Sequence, residues 1–99
     1  MVFRKGKGLK DALLFLRFAP RSFGETRCGI VVSQKVSKKA TVRNKVKRRI
    51  KAIVKQRLPK IKKGTDLVLI AKPGLETKDF QEIEGIIDKL LLGAKIISG

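Results

Sequence analysis

Fourteen of the chain's 25 lysines and arginines fall between positions 35 and 63, and no acidic residue stands between Glu25 and Asp66. Such side chains do one piece of chemistry well. They neutralise phosphates and release the condensed counterions, which gives strong, salt-sensitive affinity for a polyanion. The densest part is Ala40-Thr41-Val42-Arg43-Asn44-Lys45-Val46-Lys47-Arg48-Arg49-Ile50-Lys51-Ala52-Ile53-Val54-Lys55. Arg43 and Arg48 could grip a phosphate with two nitrogens each, whereas Lys47 and Lys51 act as point charges. Asn44 is unfavourable in mid-helix. Either its amide bonds a nucleic acid or positions Arg43, or it is a neutral surface residue.

Other chemistries lack their groups. There is no histidine, and Cys28 is the only cysteine, so an internal disulfide is impossible and a cysteine-based zinc site has no ligands. A two-metal nuclease needs converging carboxylates, but the acids before Asp79 are isolated, and Asp66 at a strand start reads as a turn or capping residue. Cys28 reads as a small core residue of its strand. A net charge of +17 on 99 residues calls for a counter-charged partner, first a nucleic acid and only then an anionic membrane or acidic protein. No apolar run reaches the ~20 residues of a membrane span, and residues 1–10 lack the apolar block of a secretory signal. A soluble cytoplasmic protein that binds rather than catalyses is expected.

The elements that must position the basic residues follow from periodicity. At about 100° per residue, Val42, Val46, Ile50, Ile53 and Val54 share one helix face, and Arg43, Asn44, Lys47, Arg48, Lys51 and Lys55 fall on the adjoining arc. Ser37 is the expected N-cap, and Pro59 ends the helix near Leu58. Leu13-Leu14-Phe15-Leu16-Arg17-Phe18 reads as a strand with Leu14, Leu16 and Phe18 on one face and Leu13, Phe15 and Arg17 on the other. Phe15 and Phe18 are core candidates, and whichever faces out could stack on a base. Residues 21–26 look like a hairpin connection to a second strand, with Cys28, Ile30 and Val32 facing one way. Asp66-Leu67-Val68-Leu69-Ile70-Ala71 reads as a strand covered on both faces. A second helix opens at Thr77 and ends near Gly93, with Phe80, Ile83, Ile87, Leu90, Leu91 and Ala94 as its apolar stripe. Gly6 and Gly8 argue against a helix through the first ten residues. Residues 1–99 make one α+β domain, a small sheet-and-helix sandwich.

The basic helix resembles the signature arginine–asparagine–arginine helix of the bacterial ribonuclease P protein component. Gly29-Ile30-Val31-Val32-Ser33-Gln34-Lys35-Val36 resembles the strand and basic loop before it. Gly64-Thr65-Asp66-Leu67-Val68-Leu69-Ile70-Ala71-Lys72-Pro73-Gly74 resembles the strand and stop after it. The Ser-Gln-Lys-Val-Ser-Lys-Lys form is most similar to cyanobacterial or plastid-type members.

The resemblance implies an (α)βββαβα order with a left-handed βαβ crossover, against the general rule. It implies a subunit of a ribonucleoprotein that removes the 5′ leader of precursor tRNA, with magnesium-dependent hydrolysis carried by the RNA subunit and no cofactor bound by the protein. No membrane or small-molecule substrate is involved. Catalytic-RNA binding would fall to Lys35, Lys38 and Lys39 in the loop and to Arg43, Asn44, Lys45, Lys47, Arg48 and Lys51 on the helix. Leader binding would fall to Phe3, Arg17 and Phe18. Two positions depart from the family pattern, since Lys45 and Lys51 stand where it has arginines. The chain also begins inside the family's N-terminal helix, keeping one of its phenylalanines as Phe3. The alternative class is a ribosomal or other structural RNA-binding protein with no substrate role, and a stand-alone metal-dependent nuclease is the remaining one.

Overall fold

A four-stranded sheet, three of whose strands are rich in apolar residues, has one of its faces covered by two helical stripes. The computed structural model describes residues 7–20 and 24–97, with Pro20 described by its backbone alone. Phe3 lies outside the described residues. In chain order the elements are β1 (Lys7–Lys10), β2 (Leu14–Pro20), β3 (Arg27–Val31), α1 (Ala40–Arg57), β4 (Thr65–Ala71) and α2 (Phe80–Gly93). This is the α+β sandwich, in the βββαβα order.

The sheet order is β1-β2-β4-β3, with β2 antiparallel to β1 and β4, and β3 parallel to β4. That order corrects one expectation. β2 and β3 are not paired as a hairpin, because β4 lies between them. The glycine-broken segment at the start carries a strand, β1, paired Lys7 to Phe18 and Lys10 to Phe15. Gly8 is there for a physical reason. A Cβ at this position would stand 2.7 Å from Cε1 of Phe15, so the glycine makes room for that ring on the sheet.

The inner face is Leu14, Leu16, Leu67, Leu69 and Ala71, packed with Val46, Ile50, Ile53 and Val54 of α1 and Ile83, Ile87, Leu90 and Leu91 of α2. Each is close to fully buried. Truncating one of the larger side chains, such as Ile50→Ala, costs about 2–5 kcal/mol. Val42 is only half-buried and Phe80 is exposed, so both stripes lose their first member to the helix N-terminus. The opposite sheet face is not fully covered as expected. Val68 and Ile70 of β4 are half-buried, and Val31 of β3 is exposed.

The helix starts differ from the sequence reading by two residues. Lys39, not Ser37, precedes α1, and it supplies no side-chain cap, while the Ser37 hydroxyl accepts from Lys39 N–H at 3.2 Å within the preceding loop. Asp79, rather than Thr77, caps α2, accepting from Glu82 N–H at 2.8 Å. The helices are joined at one end by Arg57, whose guanidinium reaches Asp88 at 2.7 and 3.0 Å and Glu84 at 3.0 Å. Those bonds, led by the one to Asp88, push the Arg57 pKa further up, so it is charged at every accessible pH.

Candidate nucleic-acid interface

The loop before α1 is built to hold lysines out. Val36 is buried and anchors it, while Lys35, Lys38 and Lys39 are exposed. Ser33 carries the turn, accepting from Val36 N–H through its carbonyl at 3.1 Å and from Lys35 N–H through its hydroxyl at 3.3 Å. The helix that follows has no acid in its first turn and no side-chain cap. Its positive dipole end therefore adds to the lysines instead of being neutralised.

Arg43 is not a free member of the stripe. Its Nη1 donates to the carbonyls of Ser37 and Lys38, each at 2.9 Å, and the residue is half-buried at the edge of the packed face. The side chain fastens the basic loop to the helix start. Arg49, one turn and a half further on, donates to the Lys78 carbonyl at 2.9 Å and ties α1 to the turn before α2. The outward residues are left for a ligand. Asn44, Lys45, Lys47, Arg48 and Lys51 are exposed, and none makes a side-chain hydrogen bond among the described residues. Asn44, Lys47, Arg48 and Lys51 converge, with Thr41, on one open groove of about 420 Å³. Thr41 was missed by charge-based reading because its hydroxyl carries no charge. Lys45 does not line this groove; helical geometry turns it about 100° from Asn44.

A second surface is the sheet face turned away from the helices. Strand alternation and register bring Lys10, Phe15, Arg17, Val68, Ile70 and Val31 to it. Arg17 is exposed there. Phe18 falls with Leu14 and Leu16 as alternation predicts, half-buried against the core and turned away from this face. Phe15 is the aromatic of the open face, with the ammonium groups of Lys10 and Lys72 at 5.5 and 5.9 Å from its ring centroid. At the far end Arg27 meets the buried Asp66 through Nε at 3.1 Å and Nη2 at 3.3 Å. Asp66 is thus the partner of a cross-strand ion pair, not a turn or cap, and its hydrogen bond raises the Arg27 pKa.

Among the described residues no three of His, Cys, Asp and Glu stand together as a metal cage. No helix is long and apolar enough to cross a membrane.

Comparisons with known proteins agree with one another. A family model described as Ribonuclease P matches residues 1–95. The ribonuclease P protein component of a Cyanothece species is 35% identical over 114 residues, spanning 99% of this chain and 87% of the relative. That of a Clostridium botulinum strain is 42% identical over 96 residues, 96% of this chain and 86% of the relative. Among solved structures, the RNase P protein of Staphylococcus aureus superposes with a TM-score of 0.86 at 25% identity, covering 97% of this chain and 87% of that one. The Thermotoga maritima protein gives 0.78 at 32% identity, covering 98% and 88%.

Proposed function

The chain belongs to the ribonuclease P protein family, and from that premise we propose how its two surfaces share the work of the ribonucleoprotein's protein subunit. The outer face of α1 and the loop before it bind the ribonuclease P RNA. Lys35, Lys38 and Lys39 meet phosphates beside the helix N-terminus; Asn44, Lys45, Lys47, Arg48 and Lys51 do so along the helix. Arg43 acts chiefly by holding the loop. The open sheet face takes the single-stranded 5′ leader of precursor tRNA, with Arg17 on its phosphates and Phe15, in place of Phe18, available to a base. Phe3 remains a candidate for the same task.

In this reading the whole chain, residues 1–99, is one RNA-binding domain working in the cytoplasm. The RNA subunit performs the magnesium-dependent hydrolysis, and the protein raises affinity and orients substrate. The observation that carries the proposal is the α1 groove, where four of the family's motif positions converge with no acid among the lining residues. Reconstitution tests it. Adding the chain to a bacterial ribonuclease P RNA at low magnesium raises precursor cleavage, and Arg17→Ala weakens binding of leader-bearing precursor but not of mature tRNA. Absence of stimulation would defeat the proposal, and cleavage by the protein with no RNA present would replace it with a stand-alone nuclease.

A further inference from the structure

Behind the ridge formed by Lys47 and Lys51 lies a second groove, of about 570 Å³, between α1 and the edge strand β3. Its character differs from that of the phosphate-facing groove with which it shares those two lysines. The floor and far wall are Cys28 and Ile30 of β3 with Val54 and Leu58 beyond α1's middle turns. Leu58 leaves 37% of its surface in solvent, and Cys28 and Ile30 are half-buried. Lys47, Lys51 and Lys55 stand along the rim, and no acid lines it.

A face that only collects phosphates has no use for an apolar cleft beside its charges. A nucleotide needs both parts, an apolar surface for the base and ammonium groups for the phosphates on either side of it. A paired base in an A-form helix cannot offer itself this way, because its face is stacked and its major-groove edge is inaccessible. We infer that the groove between α1 and β3 receives one unpaired nucleotide of the RNA partner, the base on Cys28, Ile30 and Leu58 and the flanking phosphates on Lys47, Lys51 and Lys55. The inference rests on the proposal that α1 binds RNA, and it adds a contact that charge alone does not supply. The volume lies within the usual range of small-ligand sites. Burial pushes the Cys28 thiol up to about 11, so at neutral pH it is an uncharged apolar contact and does not repel the ligand's phosphates.

Cys28 is the chain's only cysteine, which makes the floor directly observable. The rate of its alkylation by N-ethylmaleimide at pH 9 is measured for the free chain, with saturating ribonuclease P RNA, and with inorganic polyphosphate as a polyanion without bases. RNA slows the reaction tenfold or more, and polyphosphate slows it less than threefold. Equal protection by the two overturns the base contact, and no protection by RNA overturns the site. A second measurement fills the cleft: Cys28→Phe, checked for folding by circular dichroism, binds the RNA about tenfold more weakly with an unchanged salt slope. Undiminished affinity of that variant also overturns the inference. Failure of the native chain to bind the RNA at all would instead strike the α1 proposal beneath it.

Discussion

Replacing Arg43 by alanine separates two roles that the sequence motif merges. Arg43 Nη1 donates to the Ser37 and Lys38 carbonyls, both at 2.9 Å. Hydrogen bonds to a charged donor contribute about 1.5–3 kcal/mol when well sheltered, and this half-exposed pair falls at the lower end, near 2 kcal/mol together. Removing a cation from a helix N-terminus that carries no acid returns about 0.3–1 kcal/mol. The net loss is about 1–2 kcal/mol, which for a domain of this size lowers Tm by roughly 5–10 °C. Thermal unfolding of the RNA-free protein reads this directly. In RNA binding, Arg43→Ala weakens affinity by more than its single charge explains, because the loop holding Lys35, Lys38 and Lys39 loses its fastening. Arg43→Lys keeps the charge, forfeits the planar fork and falls between the two. A Tm within about 1 °C of the native value, together with a salt slope reduced by one, would refute the reasoning and return Arg43 to the phosphate contacts.

Other substitutions divide the same way. Lys47→Ala lowers RNA affinity and flattens the log–log salt dependence by about one unit, since one phosphate contact disappears; an unchanged slope removes Lys47 from the interface. Arg49→Ala, by contrast, leaves the slope close to native while Tm falls, because its bond is to the Lys78 carbonyl. Arg57→Ala leaves Asp88 and Glu84 as an uncompensated acidic pair between the helices and costs about 2–3 kcal/mol in urea unfolding, discounted for partial exposure; a loss below about 0.5 kcal/mol would show the network to be a surface ornament. Phe15→Ala weakens capture of a single-stranded leader about tenfold, whereas Phe18→Ala acts through stability, and a leader-binding loss confined to the Phe18 variant would reverse that assignment.

The sequence carried α1 almost whole. Val46, Ile50, Ile53 and Val54 repeat at helical spacing, and Pro59 stops them. Strand alternation separated Phe15 from Phe18, yet alternation alone does not say which face meets the helices. That is decided by the face onto which α1, crossing from β3 to β4, and α2 pack, a long-range arrangement with no local signal. β1 was hidden because a four-residue basic strand with a glycine has no apolar pattern, and its glycine makes room for the ring of Phe15, two positions along β2 from the glycine's own register partner Arg17. The ion pairs of Arg27 and Arg57 join residues 39 and 31 or fewer positions apart, so no spacing rule exposes them.

Taken together, the cations of α1 fall into two chemical classes. Three of its four arginines, Arg43, Arg49 and Arg57, spend their guanidinium on protein oxygens, either backbone carbonyls or carboxylates. All three sit on the side of the helix nearer the core, where a planar fork with several donors can satisfy fixed acceptors that a lysine meets singly. The outward arc is lysine, at positions 45, 47, 51 and 55, with Arg48 alone carrying a fork toward solvent. Flexible point charges suit an RNA backbone whose phosphates vary in position, because they need only approach and not alignment. In the proposed RNA contact, the lysines at 45 and 51 keep the electrostatic part of binding and give up the geometric part that the arginines implied there by the family resemblance would add. On that proposal, geometric selectivity for phosphate is concentrated on Arg48, and the rest of the arc supplies charge.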